Sequence, residues 1–143
     1  MARRLLIDVN VILDVAGERP PHSGPSQKIL SAIEKKQAHG FVSAISYPIL
    51  YYLLQREIGP GDAREYLMLL SKLLSVVSVD RAVLERAMRI RTEDYEDAIQ
   101  AASAEACKAD FIVTRDARGY GASPIKAVAP SEYLATFHRR PQP

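Results

Sequence analysis

Short runs of apolar residues recur along the chain, and each of them is typical of a buried β-strand. The first run, residues 5–7, lies within a predicted strand over residues 4–12 and is followed directly by the acidic residue Asp8. Continuous apolar runs of this kind favour strands that are covered on both faces, as in parallel sheets. Further strands are predicted at residues 41–45, 76–79, 111–113 and 125–128. The pattern therefore predicts a sheet of four to five strands.

Between these runs, apolar residues recur at the three- and four-residue spacing of helices. The predicted helices span about residues 26–39, 46–58, 62–74, 80–91 and 95–108, and a last one begins at Pro130. Ser26, Ser46 and Asp80 are expected N-caps, and Gly40 is expected to end the first helix. Residues 17–25 are rich in proline and glycine and predict an exposed loop. Strands that alternate with helices predict an α/β fold in three layers, α/β/α, around a mostly parallel sheet.

Length and composition fit one globular domain and exclude several other classes. The chain has 143 residues, of which 48% are hydrophobic and 25% are charged, and this balance argues against disorder. We expect the domain to span residues 1–138 and residues 139–143 to form a tail. No apolar run reaches the roughly 18–20 residues of a membrane span, and no signal peptide is evident. The single Cys107 excludes an internal disulfide and fits a reducing cytoplasm, where we expect the protein to act.

The net charge of +2 is too small to predict nucleic-acid binding by itself. Arginines are nevertheless paired along the chain, as Arg89 and Arg91, Arg115 and Arg118, and Arg139 and Arg140. A basic patch beside a functional site would matter more than the total charge. Arg115 and Arg118 flank Asp116 and are candidates to hold nucleic-acid phosphates. Scattered solubilising charge on a solvated loop explains them equally well.

Four aspartates form the candidate chemistry of this chain. Asp8 follows the apolar run 5–7, at or near the carboxyl end of the first predicted strand, and Asp116 lies just past the strand at 111–113. The carboxyl ends of parallel strands meet at one edge of a sheet. Asp94 and Asp97 are three residues apart at a helix start, so they share one helix face. Crowded carboxylates repel one another, and a hard cation such as Mg²⁺ or Mn²⁺ relieves that repulsion. Each aspartate taken alone is also explained as a turn residue or a helix cap.

Several segments together resemble one known family, the PIN domains, which provide the nuclease fold of VapC-type toxins. The resemblance lies in residues 6–14 (LIDVNVILD), 41–46 (FVSAIS), 94–102 (DYEDAIQAA) and 109–116 (ADFIVTRD). It covers nearly the whole chain in the right order. The resemblance implies Mg²⁺- or Mn²⁺-dependent cleavage of RNA, a homodimer and an antitoxin protein as partner.

The resemblance also implies roles for individual residues. Asp8, Asp97 and Asp116 match metal-binding and catalytic acids of the family, and Asp94 is a further acidic metal-binding position. Asn10 and Thr114 match polar positions that support the site. Gly119 and Gly121, which follow Asp116, fit no phosphate-binding loop and are expected only to let the chain turn.

One departure from the family pattern keeps other functions open. Ile49 stands where the family usually has a glutamate early in the helix after the second strand. A PIN-like module that binds nucleic acid without cleaving it is therefore an alternative to a ribonuclease. A third possibility is a phosphotransfer receiver-like domain, with Lys126 near the last strand. The paired acids that such a domain needs directly after its first strand are absent.

Overall fold

Five strands form the central sheet of this computed structural model, which describes residues 2–138. The strands are β1 (Arg3–Ile7), β2 (Ala38–Ser43), β3 (Ser75–Val77), β4 (Phe111–Val113) and β5 (Ala127–Val128). The helices are α1 (Val9–Ala16), α2 (Ser23–Glu34), α3 (Ser46–Ile58), α4 (Pro60–Leu73), α5 (Arg81–Arg89), α6 (Tyr95–Ala106) and α7 (Pro130–Glu132). A 3-10 turn spans Ala117–Tyr120, and a π-helical turn, Tyr133–Phe137, continues α7. Met1 and the predicted tail at 139–143, with Arg139 and Arg140, lie outside the described residues.

The strand order is β3-β2-β1-β4-β5, and every neighbouring pair is parallel. This arrangement confirms the predicted parallel sheet of the α/β/α fold. It also excludes the receiver-like alternative, because receiver domains have the order 2-1-3-4-5. Within residues 2–138, no helix combines the length and apolarity that crossing a membrane requires.

Helices cover both faces of the sheet, and successive side chains of a strand point to opposite faces. Leu5 and Ile7 of β1 are fully buried in the larger core, to which α1–α4 and the π-helical turn after α7 contribute side chains. Leu6, which points the other way, is buried with alanines of α6 on the opposite face. Strands buried on both faces have no polar alternation, and this is why the apolar runs predicted them.

The first strand is shorter than predicted, because Asp8 ends it. The strand stops at Ile7, and the Asp8 carboxylate accepts a hydrogen bond from Val9 N at 2.7 Å as the N-cap of α1. The apolar residues of 4–12 that follow Asp8 therefore belong to a helix, and the strand prediction was wrong for that part. An aspartate that satisfies a free helix N–H favours this change of direction.

The first long helix begins and ends earlier than predicted. Ser26 is buried inside α2 and is not its N-cap, because α2 already begins at Ser23 within the predicted loop. Gly40 does not end this helix either, since it lies within β2. A Cβ at Gly40 would lie 2.5 Å from Leu74 Cδ2 and 2.6 Å from Ile33 Cδ1. The glycine therefore allows close packing of helices on the strand, and it does not terminate a helix.

A buried polar seam joins α6 to the end of β2 and the start of α3. Ser46 is not the cap of α3, whose N-cap position is Ile45 without a side-chain bond. Ser46 Oγ instead accepts a hydrogen bond from Gln100 Nε2 at 2.8 Å, and Ser103 Oγ donates to Ser43 Oγ at 2.9 Å. All four side chains are buried. We call these two contacts the polar seam.

Candidate metal centre

Adjacent strands bring Asp8 and Asp116 to the same edge of the sheet. β1 and β4 pair in register at Ile7 and Val113, and Asp8 N donates to Val113 O at 3.0 Å. Asp8 directly follows β1, and Asp116 lies three residues past the end of β4. The two carboxylates interact electrostatically. The strand ends therefore supply two acids that are far apart in the sequence.

The Asp8 carboxylate is buried and held from several directions. Its Oδ1 accepts from Val9 N, while its Oδ2 accepts from Thr114 Oγ1 at 2.8 Å and from Tyr120 Oη at 3.0 Å. Burial raises the pKa of Asp8, and the hydrogen bonds from Thr114, Tyr120 and Val9 partly oppose that rise. Because Oδ2 already accepts two bonds, Oδ1 is the oxygen with more capacity for a further ligand.

Thr114 connects the supporting residue Asn10 to both acids. Its Oγ1 accepts from Asn10 Nδ2 at 3.2 Å and from Asp116 N at 3.1 Å, and it donates to Asp8. Asn10 Oδ1 in turn accepts from Arg115 N at 3.1 Å. These bonds tie the start of α1 to the loop after β4, so the backbone at Asp116 is held relative to Asp8.

The start of α6 brings two more aspartates to this edge. Asp94 is the exposed N-cap of α6, and its Oδ1 accepts from Glu96 N at 2.8 Å. Asp97 lies in the first turn and is half-buried. Burial, followed by repulsion from Asp94, Asp8 and Asp116, raises the pKa of Asp97 to about 6. Four carboxylates therefore share one electrostatic environment, in which Asp97 resists ionisation most clearly.

Gly119 lies against two of these carboxylates, which sequence reasoning missed. A Cβ built on Gly119 would be 2.9 Å from Asp97 Oδ2 and 3.2 Å from Asp116 Oδ2. At Gly121 the nearest such contact is an ordinary 3.7 Å. The prediction that both glycines merely let the chain turn is therefore wrong for Gly119, whose missing side chain leaves room for the acids. No local pattern marks this contact, because it depends on where α6 lies.

Tyr120 is a second residue that sequence reasoning missed. Its side chain is buried, and its hydroxyl lies between Asp8, to which it donates, and Asp97, whose pKa it lowers. Burial and the two carboxylates raise the pKa of Tyr120, so the hydroxyl remains a hydrogen-bond donor. Its only local signal was an aromatic residue four positions after Asp116.

The two arginines beside Asp116 have different surroundings. Arg115 Nε forms an ion pair with Asp14 Oδ2, and the Asp14 side chain is fully buried in α1. Arg118 lines an open cleft of about 570 Å³ together with Arg91 and three of the aspartates, Asp94, Asp97 and Asp116. Among residues 2–138, neither Arg118 nor Arg91 forms an ion pair. Arg118 is therefore the better-placed cation for a phosphate, and phosphate binding by Arg115 and Arg118 stays a prediction.

Ile49 is half-buried in α3, one turn after Ser46, and adds no oxygen to the site. Ser46 is bonded to Gln100, which lies one turn after Asp97 in α6. The position of the usual family glutamate is thus next to the polar seam, and the acids of the site come from the other elements.

The chemistry of these side chains fits a hard divalent cation. Within residues 2–138, no group of three or more His, Cys, Asp or Glu side chains is spaced as a finished metal-ligand set. The Oδ2 atoms of Asp97 and Asp116 nevertheless both lie next to Gly119, and burial together with repulsion from the neighbouring carboxylates raises the Asp97 pKa. Hard oxygen donors that repel one another are the donors Mg²⁺ and Mn²⁺ prefer. The metal roles of Asp8, Asp94, Asp97 and Asp116 stay predictions.

Replacing Tyr120 with phenylalanine is expected to weaken Mn²⁺ binding about tenfold, at the low end of the roughly 10–100-fold effect of losing an outer-shell hydrogen bond. The change removes one donor from Asp8 Oδ2 and keeps the ring. Calorimetric titration with Mn²⁺ measures the affinity. Tyr52→Phe, at an exposed position of α3, is the matched control. Equal affinity in the wild type and Tyr120→Phe would show that the hydroxyl does not support metal binding.

Solved structures with this fold include several toxin–antitoxin proteins. VapBC2 from Rickettsia felis, bound to a promoter DNA fragment, matches with a TM-score of 0.70 and 13% identity over 88% of this chain and 98% of that one. A toxin–antitoxin complex from Klebsiella pneumoniae matches with a TM-score of 0.67 and 21% identity, over 88% and 97%. VapC20 from Mycobacterium tuberculosis, described as a sarcin-ricin loop cleaving toxin, matches with a TM-score of 0.61 and 16% identity over 96% of this chain and 99% of that one. At these identities the likeness shows the fold alone.

Sequence comparison gives the family directly. No match was found among curated protein sequences. A family model described as PIN domain matches residues 4–118, which include Asp8, Asp97 and Asp116. That span is most of the chain and agrees with the parallel sheet and with the acids at its edge. The chain belongs to the PIN domain family.

Proposed function

We propose that this PIN domain is a metal-dependent ribonuclease that hydrolyses RNA phosphodiesters. The observation that carries the proposal is the meeting of Asp97 and Asp116 at Gly119, beside the buried Asp8. Three elements of the fold contribute to this one acidic edge, and Arg91 and Arg118 line the same cleft as three of the acids. Structural neighbours that include an RNA-cleaving toxin support the same function.

Asp8, Asp97 and Asp116 would hold Mg²⁺ or Mn²⁺, and Asp94 is a further ligand at the rim. When bound, such a cation activates water for attack on a phosphodiester and offsets the charge that develops there. Asp8 offers Oδ1, because Thr114 and Tyr120 occupy Oδ2. The carboxylates must be ionised to bind, so the raised pKa of Asp97 makes binding weaker in acid.

The arginines of the cleft would place the RNA backbone. Arg118 and Arg91 line the same cleft as the acids and form no ion pair within residues 2–138. Guanidinium groups bind phosphate oxygens in a fixed geometry. Arg115 contributes through its backbone, which donates to Asn10, while its side chain is paired with Asp14.

Incubation of the purified protein with labelled single-stranded RNA tests the proposed activity. We expect cleavage with Mg²⁺ or Mn²⁺ and none with EDTA. Asp8→Asn is expected to be inactive, because it removes the charge of the most buried of the four aspartates at the site. Asp62→Asn, on the exposed first turn of α4, is the matched control and should cleave like the wild type. Equal cleavage by the wild type and Asp8→Asn would contradict the proposal.

We further propose that the protein is the toxin of a toxin–antitoxin pair, acts in the cytoplasm and forms a homodimer. Toxin–antitoxin complexes among the structural neighbours support an antitoxin partner. The antitoxin would cover the acidic cleft and thereby keep RNA from it. The homodimer rests on the family resemblance.

A non-cleaving PIN module that binds nucleic acid is the second candidate, and Ile49 favours it. That side chain adds no oxygen to the site, so the ligand set lacks one acid of the family pattern. Calorimetry with Mn²⁺ separates the two functions. Metal binding together with cleavage supports the ribonuclease, whereas RNA retention without metal binding at millimolar Mn²⁺ supports the module.

A further inference from the structure

A second, largely apolar groove adjoins the acidic cleft. Its volume is about 620 Å³, and it runs between α5 and the start of α6. Its walls include the exposed side chains of Met88 and Tyr95 and the half-buried Ile90. We call it the α5–α6 groove. Exposed apolar side chains that line one groove form a surface on which a ligand can be bound.

The groove and the acidic cleft share one wall. Arg91, Thr92 and Glu93 line both. Thr92 Oγ1 donates to Asp94 O at 2.7 Å, so the shared wall is bonded to the N-cap of α6. A ligand held at the acids can therefore extend into the groove past Arg91.

The tyrosine of the groove is held in place. Tyr95 is the first residue of α6 and is 46% exposed, and its hydroxyl donates to Leu84 O in α5 at 3.3 Å. This bond anchors the far end of the side chain on the neighbouring helix while nearly half of its surface remains open. An anchored, open aromatic face is suited to stacking against a flat ring.

From these contacts we propose that the α5–α6 groove binds an unpaired base of single-stranded RNA next to the phosphodiester held at the acidic cleft. Arg91, on the shared wall, gives the groove a cation for the connecting phosphate. Tyr95 supplies the stacking surface, with Met88 and Ile90 beside it. The inference rests on the proposed ribonuclease function and adds to it a preference for single strands, since a base within a duplex is already stacked and paired.

Substitutions of Tyr95 test this base site through KM and kcat. Tyr95→Leu keeps apolar bulk and removes the aromatic face, so we expect KM for single-stranded RNA to rise about tenfold with kcat unchanged. Tyr95→Phe should keep a KM close to that of the wild type. Tyr52→Leu, the same substitution at a more exposed tyrosine of α3, should leave both constants unchanged. A second measurement uses RNA with one abasic site moved along the strand: it should impair the wild type at one position and have no added effect there in Tyr95→Leu.

The possible outcomes separate this inference from the proposed function. An unchanged KM in Tyr95→Leu overturns the base site, as does a fall in kcat alone, which would place Tyr95 in the support of α6. Weaker binding of a partner protein with unchanged RNA kinetics would assign the groove to that protein and also overturn it. Should the wild type bind but not cleave RNA, the ribonuclease proposal fails, and the base site is then decided by RNA retention. Weaker retention by Tyr95→Leu supports it, equal retention overturns it, and no retention by the wild type overturns both.

Discussion

The Asp97→Asn protein is expected to have lost RNA cleavage and yet to unfold at a higher temperature than the wild type in metal-free buffer at neutral pH. The loss of cleavage should exceed the roughly 10–100-fold effect of changing an outer-shell residue, because Asp97 is proposed to bind the metal itself. The gain in stability follows from the partial burial of the Asp97 carboxylate and, after it, from the repulsion that Asp94, Asp8 and Asp116 exert on it. An amide keeps the shape of the side chain and removes its charge.

The sign of this stability effect depends on pH. The pKa of Asp97 is about 6 in the folded protein, against 3.8 for the unperturbed group. Between these values the folded state binds more protons than the unfolded state, so the free energy of unfolding falls as pH rises. The wild type should therefore lose stability from about pH 4 to pH 6, and Asp97→Asn should lose less of it in that interval. Below pH 4 the two proteins should have similar melting temperatures.

Thermal unfolding across pH 3.5–8 in EDTA measures this difference, and Asp62→Asn on the exposed first turn of α4 provides the control. Added Mn²⁺ should raise the melting temperature of the wild type, since a ligand that binds only the folded state stabilises it. The same addition should leave Asp97→Asn nearly unchanged. A melting temperature of Asp97→Asn equal to or below that of the wild type at pH 7.5 would contradict a destabilising effect of the buried and crowded Asp97 carboxylate.

A single methyl group at position 119 should reduce RNA cleavage about a hundredfold, the cost that a misplacement of about 1 Å can have in an active site. The Cβ of Gly119→Ala would stand 2.9 Å from Asp97 Oδ2 and 3.2 Å from Asp116 Oδ2. Both atoms are the ends of side chains, so they can move away at little cost to the fold. The acids would then no longer meet where the cation is proposed to bind.

Gly121→Ala is the matched control for this change. It adds the same methyl group two residues away, where the nearest atom is 3.7 Å distant, and its backbone φ of −56° suits alanine. We expect Gly121→Ala to cleave RNA like the wild type and both variants to melt within a few degrees of it. Loss of cleavage in Gly119→Ala together with loss of the folded state would instead mean that the glycine serves packing.

The sequence predicted those parts of the fold that depend on local pattern. Strands such as β4 are uninterrupted apolar runs because both of their faces are buried, and Asp80 caps α5 through a bond to Val83 N, as its position before that helix indicated. Placing Asp8 and Asp116 at one edge needed only the rule that parallel strands end on the same side. The prediction failed at Gly40, where the reason for a glycine is a contact with Leu74 and Ile33 from other elements.

The location of the four aspartates was predictable from the sequence, whereas the residues around them were not. Aspartates that follow apolar strand segments or begin a helix can be recognised from the sequence alone. Tyr120 and Gly119 matter because α6 and the turn after β4 meet in space, and no spacing in the sequence records that meeting. The same holds for Arg115, whose partner Asp14 is a buried residue of α1.

The polar seam has a consequence for how accurately α6 is oriented. The alanine side chains of α6 are small and interlock little with their neighbours, so apolar contact alone would allow the helix to shift along its axis. A slip of one residue moves a helix by about 1.5 Å and turns it by about 100°. The hydrogen bonds from Gln100 to Ser46 and from Ser103 to Ser43 are directional, and a slip of that size would break both of them and leave buried polar groups without partners. The seam thus fixes the rotation of α6 about its axis, and the direction in which Asp97 points is set by buried, uncharged side chains that begin one helical turn away.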